Sequence, residues 1–119
     1  MAYVDGFVVP VPKKNRKAYV RMARKAGKIW REHGALQFRE CIADDVSVGK
    51  VTSFPRSVKR RPSETVMFSW IVFKSKADRE RINKKVMKDK RLASMMDPKS
   101  MPFDAQRMIY GGFKVLVDL

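Results

Sequence analysis

Two segments of the chain combine strand-forming residues with apolar side chains at both alternating sets of positions. Residues 64–74 read ETVMFSWIVFK, and residues 3–11 read YVDGFVVPV. Successive side chains of a strand point to opposite faces of the sheet, so this pattern predicts two strands covered on both faces. Residues 64–74, rich in valine, isoleucine and aromatic residues, are predicted to form a central strand. Any fold of this chain therefore has to cover both faces of a sheet.

Two further segments carry helical patterns. Over residues 13–33, apolar side chains recur at spacings of three and four, and basic side chains fall on the opposite side. Gly34 follows as a C-terminal cap, where a left-handed backbone costs glycine little. Residues 75–90 predict a second helix with Ser75 as its N-cap and a thin apolar stripe of Ile82 and Val86.

Residues 35–46 and the last segment, up to residue 117, predict two more strands. The order strand, helix, strand, strand, helix, strand is that of a ferredoxin-like βαββαβ fold of the α+β class with an antiparallel sheet. A chain of 119 residues is expected to form one such domain, residues 1–119. Right-handed crossovers place both helices on one face of the sheet. The other face would be apolar and bare, so we predict a homodimer in which a second copy covers it.

The connection over residues 47–63 has the weakest pattern. Its basic run and its glycine and prolines predict no regular element, except that Ser53 before Phe54 and Pro55 is typical of the start of a helical turn.

The formal net charge of +15 has two interpretations. The favoured one is a basic exterior, and the other is a nucleic-acid or other polyanion partner. Of the 27 basic residues, 23 lie in residues 13–31, 50–61 and 74–91, on the helices and the long connection. The element order is also that of an RRM domain, but Val66 and Met67 stand where its third-strand motif has a basic residue and glycine. Any nucleic-acid contact is therefore expected to be weak, made through phosphates and salt-sensitive.

Several classes of function find no support in the sequence. No apolar run is long enough for a membrane span, and no secretory leader is recognised. Cys41 is the only cysteine, which fits a cytoplasmic protein. With His33 as the only histidine, no conventional zinc site and no cofactor are predicted. We expect a structural role for His33 and an inert, buried thiol for Cys41.

The least generic segment is residues 100–113, SMPFDAQRMIYGGF. Pro102 and Asp104 predict a turn, and residues 107–110 are predicted to start the last strand. Gly111 and Gly112 interrupt that strand, which is typical of a bulge or of a close approach to the backbone by another group.

The first and last strands are neighbours in a ferredoxin-like sheet, so residues of the first can approach this segment. Arg107 suits a carboxylate or another anionic ligand, and Trp70 could supply an apolar wall. The alternative is a salt bridge that joins Arg107 to an aspartate, Asp5 or Asp104, without a ligand. No catalytic residue is identified. The ligand-binding candidates are Asp5, Trp70, Asp104, Arg107 and Tyr110.

Three motifs carry a resemblance to a known family. YVDGFVVPVP near the start, FSWI at residues 68–71 and SMPFDAQRMIYGGF resemble the YbaA-like family of bacterial proteins, DUF 1428. The resemblance implies a dimeric α/β barrel, in which two ferredoxin-like sheets pack face to face, and a pocket between sheet and helices as in related small monooxygenases. It implies no catalytic residue, because the family has no established activity. Ala105 stands where the family is expected to have glycine.

Two hypotheses follow. The first is a cytoplasmic homodimer with a small-molecule pocket between sheet and helices, with enzymatic activity left open. The second is a binding or structural module whose basic helices contact RNA or another polyanion.

Overall fold

The computed structural model describes residues 1–119 and contains one antiparallel sheet. Its strands are β1 (Tyr3–Pro12), β2 (Gln37–Ile42), β3 (Glu64–Phe73) and β4 (Ile109–Lys114), in the order β2-β3-β1-β4. This order confirms the ferredoxin-like α+β fold and the central position of residues 64–73. The two strands that are apolar at both sets of positions are the two inner strands.

Both outer strands are shorter than predicted. Strand β2 ends at Ile42, because Asp44 and Asp45 lie exposed beyond it. Strand β4 ends at Lys114, which pairs with Tyr3 at the start of β1, so almost no partner strand remains beyond it. Only one further bond, from the Val115 amide to the Ala2 carbonyl, continues the pairing.

The two long helices are α1 (Arg16–Glu32) and α3 (Lys76–Met87), and the short helices are α2 (Phe54–Ser57) and α4 (Lys90–Ala93). The caps follow the sequence pattern. The Ser53 and Ser75 hydroxyls accept bonds from the first-turn amides of α2 and α3, and Gly34 has a φ of 118° after α1. A 3₁₀ turn over Lys13–Asn15 precedes α1. No helix is long and apolar enough to cross a membrane.

The main core lies between the sheet and the helices α1 and α3. Alternate residues of β1 and β3 face it, and Phe73, Ile82 and Val86 are completely buried. Burial of a side chain of this size stabilises the fold by about 2–3 kcal/mol. The buried apolar residues of this layer are Tyr3, Val9, Val11, Tyr19, Ala23, Ile29, Ala35, Met67, Ile71, Phe73, Ile82, Val86 and Leu92.

The opposite side of the sheet is covered only at one end, where Val58 packs against Val8 and Val66. The rest is uncovered, and Phe68 and Phe113 are 40% and 64% exposed. We call this surface the open sheet face. Its residues, which share a face through the strand register, are Val4, Gly6, Phe68, Trp70, Val72, Ile109, Gly111 and Phe113.

The paired glycines of β4 do not form a bulge, since the register with β1 runs unbroken from Ile109 to Lys114. A Cβ atom on Gly112 would lie 2.5 Å from the Tyr3 hydroxyl, so the group that approaches the backbone closely is the Tyr3 side chain. Gly111 faces the open sheet face instead, where an added Cβ would have ordinary contact with the Phe113 ring.

Candidate functional site

An open groove of about 810 Å³ runs between α1 and the outer strand β2. Its helical wall consists of two parallel rows, each with a spacing of four residues. The inner row, Tyr19, Ala23 and Gly27, is buried, and the outer row, Val20, Arg24 and Lys28, is exposed. The groove therefore changes from apolar in its depth to cationic at its rim.

Strand β2 forms the other wall, and the side chains of Phe38, Glu40 and Ile42 are the ones on the helical face. The Phe38 ring packs closely against α1 at Gly27. A Cβ atom at this position would lie only 2.6 Å from the ring. Glycine at this position therefore allows the close approach of helix and ring. Phe38 also packs against Trp30, with 6.2 Å between ring centroids, which holds the ring in place.

Tyr19 and Glu40 form the polar contact of the groove. The Tyr19 hydroxyl donates a hydrogen bond of 2.8 Å to Glu40 Oε1. Glu40 pairs in register with the buried Ser69 of β3, and the Glu40 residue is open to solvent on the groove side.

Both groups of this pair titrate at higher pH than usual. Loss of hydration raises the pKa of Glu40, and the bonds from Tyr19 and Ser69 only partly oppose that effect. Burial, with a further contribution from the nearby carboxylate, raises the pKa of Tyr19 far above its ordinary value. Tyr19 therefore keeps its proton and donates the hydrogen bond, while Glu40 is the group of the pair that can accept and return a proton.

Most cations of the groove lack an acidic partner. Arg31 donates to the Ala35 and Leu36 carbonyls after α1, and the acidic Glu32 is paired with Arg91 outside the groove. The helical residues of the lining that form no ion pair or side-chain hydrogen bond are Arg16, Arg24 and Lys28. Arg39 also has no such partner, but its register with Trp70 places its side chain on the open sheet face. These charges are free to interact with an anion.

Asp5, the first residue predicted from the sequence, has a partner in the core. Its carboxylate is 2.8 Å from Arg79 Nη2 and accepts a bond of 3.3 Å from the Asn83 amide. Asn83 in turn accepts a bond from Trp30, so the network joins β1, α3 and α1. Asp5 is therefore paired with Arg79 on the helical side of the sheet and does not contact Arg107.

Arg107 and Asp104 form the salt bridge that was the alternative to a ligand site. Arg107 Nε lies 3.1 Å from the Asp104 carboxylate, while both terminal nitrogens bind the nearly buried carboxylate of Glu64. Arg107 also donates to the Lys59 carbonyl, at 2.9 Å. Its bonds hold the pKa of Glu64 below the usual value. Through Arg107, the segment of residues 100–113 is thus bound to Glu64 at the start of β3 and to the connection over residues 47–63.

Trp70 and Tyr110 lie on opposite sides of the sheet. Trp70 is on the open sheet face and donates to Gln37, at 2.8 Å, whereas Tyr110 stacks on Phe7 on the helical side. Trp70 cannot form a wall beside Asp5, since β3 places it on the other face. None of the five predicted residues lines the groove, and they do not surround one common cavity. Their roles as ligand contacts stay predictions.

The other two singled-out residues also have defined places. His33 Nε2 lies 2.9 Å from Asp89, which fits the structural role expected for it. Cys41 is half-buried rather than buried, because β2 is an outer strand, and its register with Phe68 places its side chain on the open sheet face. The structure contains no group of three or more histidine, cysteine or acidic residues that could hold a metal ion.

The sequence analysis did not select Tyr19 and Glu40. One signal was present: Glu40 alternates with Leu36, Phe38 and Ile42 on a largely apolar side of its strand. A carboxylate in such a position needs a hydrogen-bonding partner.

Comparisons with known proteins agree with the fold and the motifs. Residues 2–105 match the family model DUF1428, a protein family of unknown function. The uncharacterised protein YbaA of Escherichia coli (strain K12) is 50% identical over 118 residues, which cover 99% of each chain.

Solved structures with low identity share the fold alone. A putative antibiotic biosynthesis monooxygenase from Nitrosomonas europaea has a TM-score of 0.60 at 13% identity, with 97% of this chain and 90% of that chain covered. A NIPSNAP domain protein from Burkholderia xenovorans has a TM-score of 0.61 at 11% identity, with 95% and 93% covered. The family match and the end-to-end identity settle the family: the chain belongs to DUF1428, together with YbaA.

Proposed function

We propose that this protein binds a small molecule in the groove between α1 and β2, in each protomer of a homodimer. The observation that carries the proposal is the groove itself, which has a buried inner row and a Tyr19–Glu40 hydrogen bond within it. Its volume of about 810 Å³ is within the range of ordinary ligand pockets. Apolar depth with a few convergent polar groups is the usual composition of such sites.

Glu40 gives the groove a reactive group as well as a binding surface. A carboxyl group with a raised pKa that is open to the groove can take a proton from a bound molecule and return it. Enzymatic turnover would therefore be tested first as proton transfer, with Glu40→Gln as the inactive variant.

Ligand binding is tested by native mass spectrometry of the purified protein and a variant with a filled groove. Val20→Trp places a large side chain at the exposed rim, whereas Lys17→Trp adds the same ring to α1 outside the groove. We expect a retained small molecule, or a thermal shift with a metabolite library, in the wild type and Lys17→Trp but not in Val20→Trp. Equal behaviour of all three proteins would refute the site.

The homodimer is supported by the open sheet face. The residues of this face on β1, β3 and β4 are uncharged, although the chain carries a net charge of +15, and Arg39 lies at its β2 edge beside Trp70. Two such copies repel each other elsewhere, so the apolar centre of this face is where they can meet at least cost. Exposed aromatic rings such as Phe68 and Phe113 gain stability when a second apolar face covers them.

Light scattering at micromolar concentration tests the dimer. Phe113→Asp should produce monomers, since an unpaired charge buried in an apolar interface costs about 3–5 kcal/mol. Tyr110→Asp is the matched control, because it introduces the same charge into β4 on the helical side, at a 71% exposed position. A wild-type monomer, or a dimer that survives Phe113→Asp, contradicts the sheet-to-sheet arrangement.

The second hypothesis, a polyanion bound through the basic helices, stays a prediction that the comparisons do not favour. A cytoplasmic location likewise stays an expectation. The name of the Nitrosomonas europaea neighbour supports a search for small-molecule substrates, but at 13% identity it names no reaction for this chain.

A further inference from the structure

We propose that the ligand of the groove between α1 and β2 is an amphipathic organic anion, with its acidic group at the Arg24–Lys28 rim and its apolar body against Ala23 and Phe38. This inference rests on the proposed function, because it names the class of molecule that the groove accepts.

The two helical rows carry the argument. They run side by side along the groove, so a molecule that enters meets the exposed row first and the buried row next. The exposed row ends in two successive cations, Arg24 and Lys28, one helical turn apart. The buried row continues from Tyr19 to Ala23 and Gly27, and it offers apolar surface apart from the Tyr19 hydroxyl, which is already bonded to Glu40.

The rim cations are available because nothing else in the protein neutralises them. Neither Arg24 nor Lys28 takes part in an ion pair. Of the two acids that line the groove, Glu32 is paired with Arg91, and Glu40 accepts a hydrogen bond from Tyr19 rather than from a cation. Near a protein surface each such cation attracts an anion more strongly than it would in bulk water.

The apolar depth explains why the anion should be organic. A small hydrated ion can interact with the rim but gains nothing from Ala23, Gly27 and the Phe38 ring. A molecule with an apolar body gains from both, because Ala23 and the part of Phe38 that lines the groove offer it apolar surface.

A matched pair of fluorescent probes tests the inference. 8-Anilinonaphthalene-1-sulfonate and N-phenyl-1-naphthylamine share an aromatic body, but only the first is an anion. Each is titrated into the full-length wild type and into Val20→Trp, and the part of the signal lost in Val20→Trp is assigned to the groove. Circular dichroism verifies that every variant is folded.

Two double variants separate the rim from the general charge of the protein. Arg24→Gln with Lys28→Gln should weaken sulfonate binding in the groove about tenfold. Lys17→Gln with Lys25→Gln removes the same charge from α1 at exposed positions outside the groove, and it should change the affinity less than about twofold. The neutral probe should bind the groove more weakly and respond to neither double variant.

The possible failures are distinguishable. If both probes bind the groove equally well and the rim variant changes the affinity of neither, the preference for an anion is rejected and the ligand-binding groove is retained. If the two double variants weaken the sulfonate equally, overall charge accounts for binding and the rim is rejected. If no signal of either probe depends on Val20→Trp, the groove itself fails, and the proposed function fails with it.

Discussion

Replacement of Arg107 by methionine should destabilise the fold while leaving the groove intact. The Glu64 side chain is 4% exposed, and Arg107 is its only cationic partner. Methionine keeps an unbranched side chain of similar length but supplies no hydrogen-bond donor. In the variant, Glu64 would retain the bond from the Arg61 amide and lose both bonds from the guanidinium group.

The magnitude follows from the burial of this pair. Removal of one partner of a buried ion pair costs about 3–5 kcal/mol, and we take about 3 kcal/mol because the Arg107 side chain keeps some contact with solvent. The entropy of unfolding of a domain this size is about 250 cal/mol/K, so about 3 kcal/mol lowers the melting temperature by roughly 12 °C.

The pH dependence gives a second, independent measure of the same bond. Arg107 lowers the folded-state pKa of Glu64, so the stabilisation is complete above the ordinary value of 4.5 and is lost as the pH falls through the lower folded value. The deficit of Arg107→Met should thus be large at pH 7 and shrink in acid.

Differential scanning calorimetry at a fixed protein concentration measures both effects. Asp104→Asn, which removes only the exposed partner of Arg107, should change the melting temperature little. Adding Glu64→Gln to Arg107→Met should restore part of the loss, because no buried charge is left unpaired. An unchanged melting temperature at pH 7, or a deficit that is the same at acid pH, would refute this reasoning.

Three further variants test other parts of the structure by thermal unfolding. Asp5→Asn should lower stability by about 2 kcal/mol because it weakens the buried network, whereas Asp45→Asn, at an exposed loop position, should have no measurable effect. Gly112→Ala should lower the melting temperature by several degrees, since its Cβ meets a tyrosine side chain at 2.5 Å, while Gly111→Ala in the same strand should be tolerated. Glu40→Gln should become more stable relative to the wild type as the pH rises above 4.5, because the wild type loses stability as its raised pKa is passed; parallel pH profiles would contradict that assignment.

Most of the fold could be predicted because it depends on local patterns. Alternation in residues 3–11 and 64–74 specifies two strands with both faces apolar, and serine caps mark two helix starts. The end of β4 was predicted less well, because this strand ends where its partner β1 begins. The position at which a strand ends is set by pairing with its neighbour and cannot be seen in the residues of the strand itself.

The site could be predicted only in part because its contacts join distant positions. Asp5 was considered as a partner of Arg107, but the cation it pairs with is Arg79, 74 positions away. Trp70 and Asp5 could be assigned to opposite faces only once the register was known, since a shift of one residue reverses every side chain of a strand.

The groove and the open sheet face are two sides of the same outer strand. Gln37 lines the groove and accepts a bond from Trp70, whose ring lies on the open sheet face, while Glu40 pairs in register with Ser69, between Phe68 and Trp70 on β3. A second copy that covers Phe68 and Trp70 would therefore restrict the strands that position Glu40. Because β2 has a neighbour on one edge only, this restriction matters more for it than for an inner strand. The two halves of the proposed function are thus physically linked, since a dimer interface on the open sheet face would stiffen the wall against which the ligand would bind.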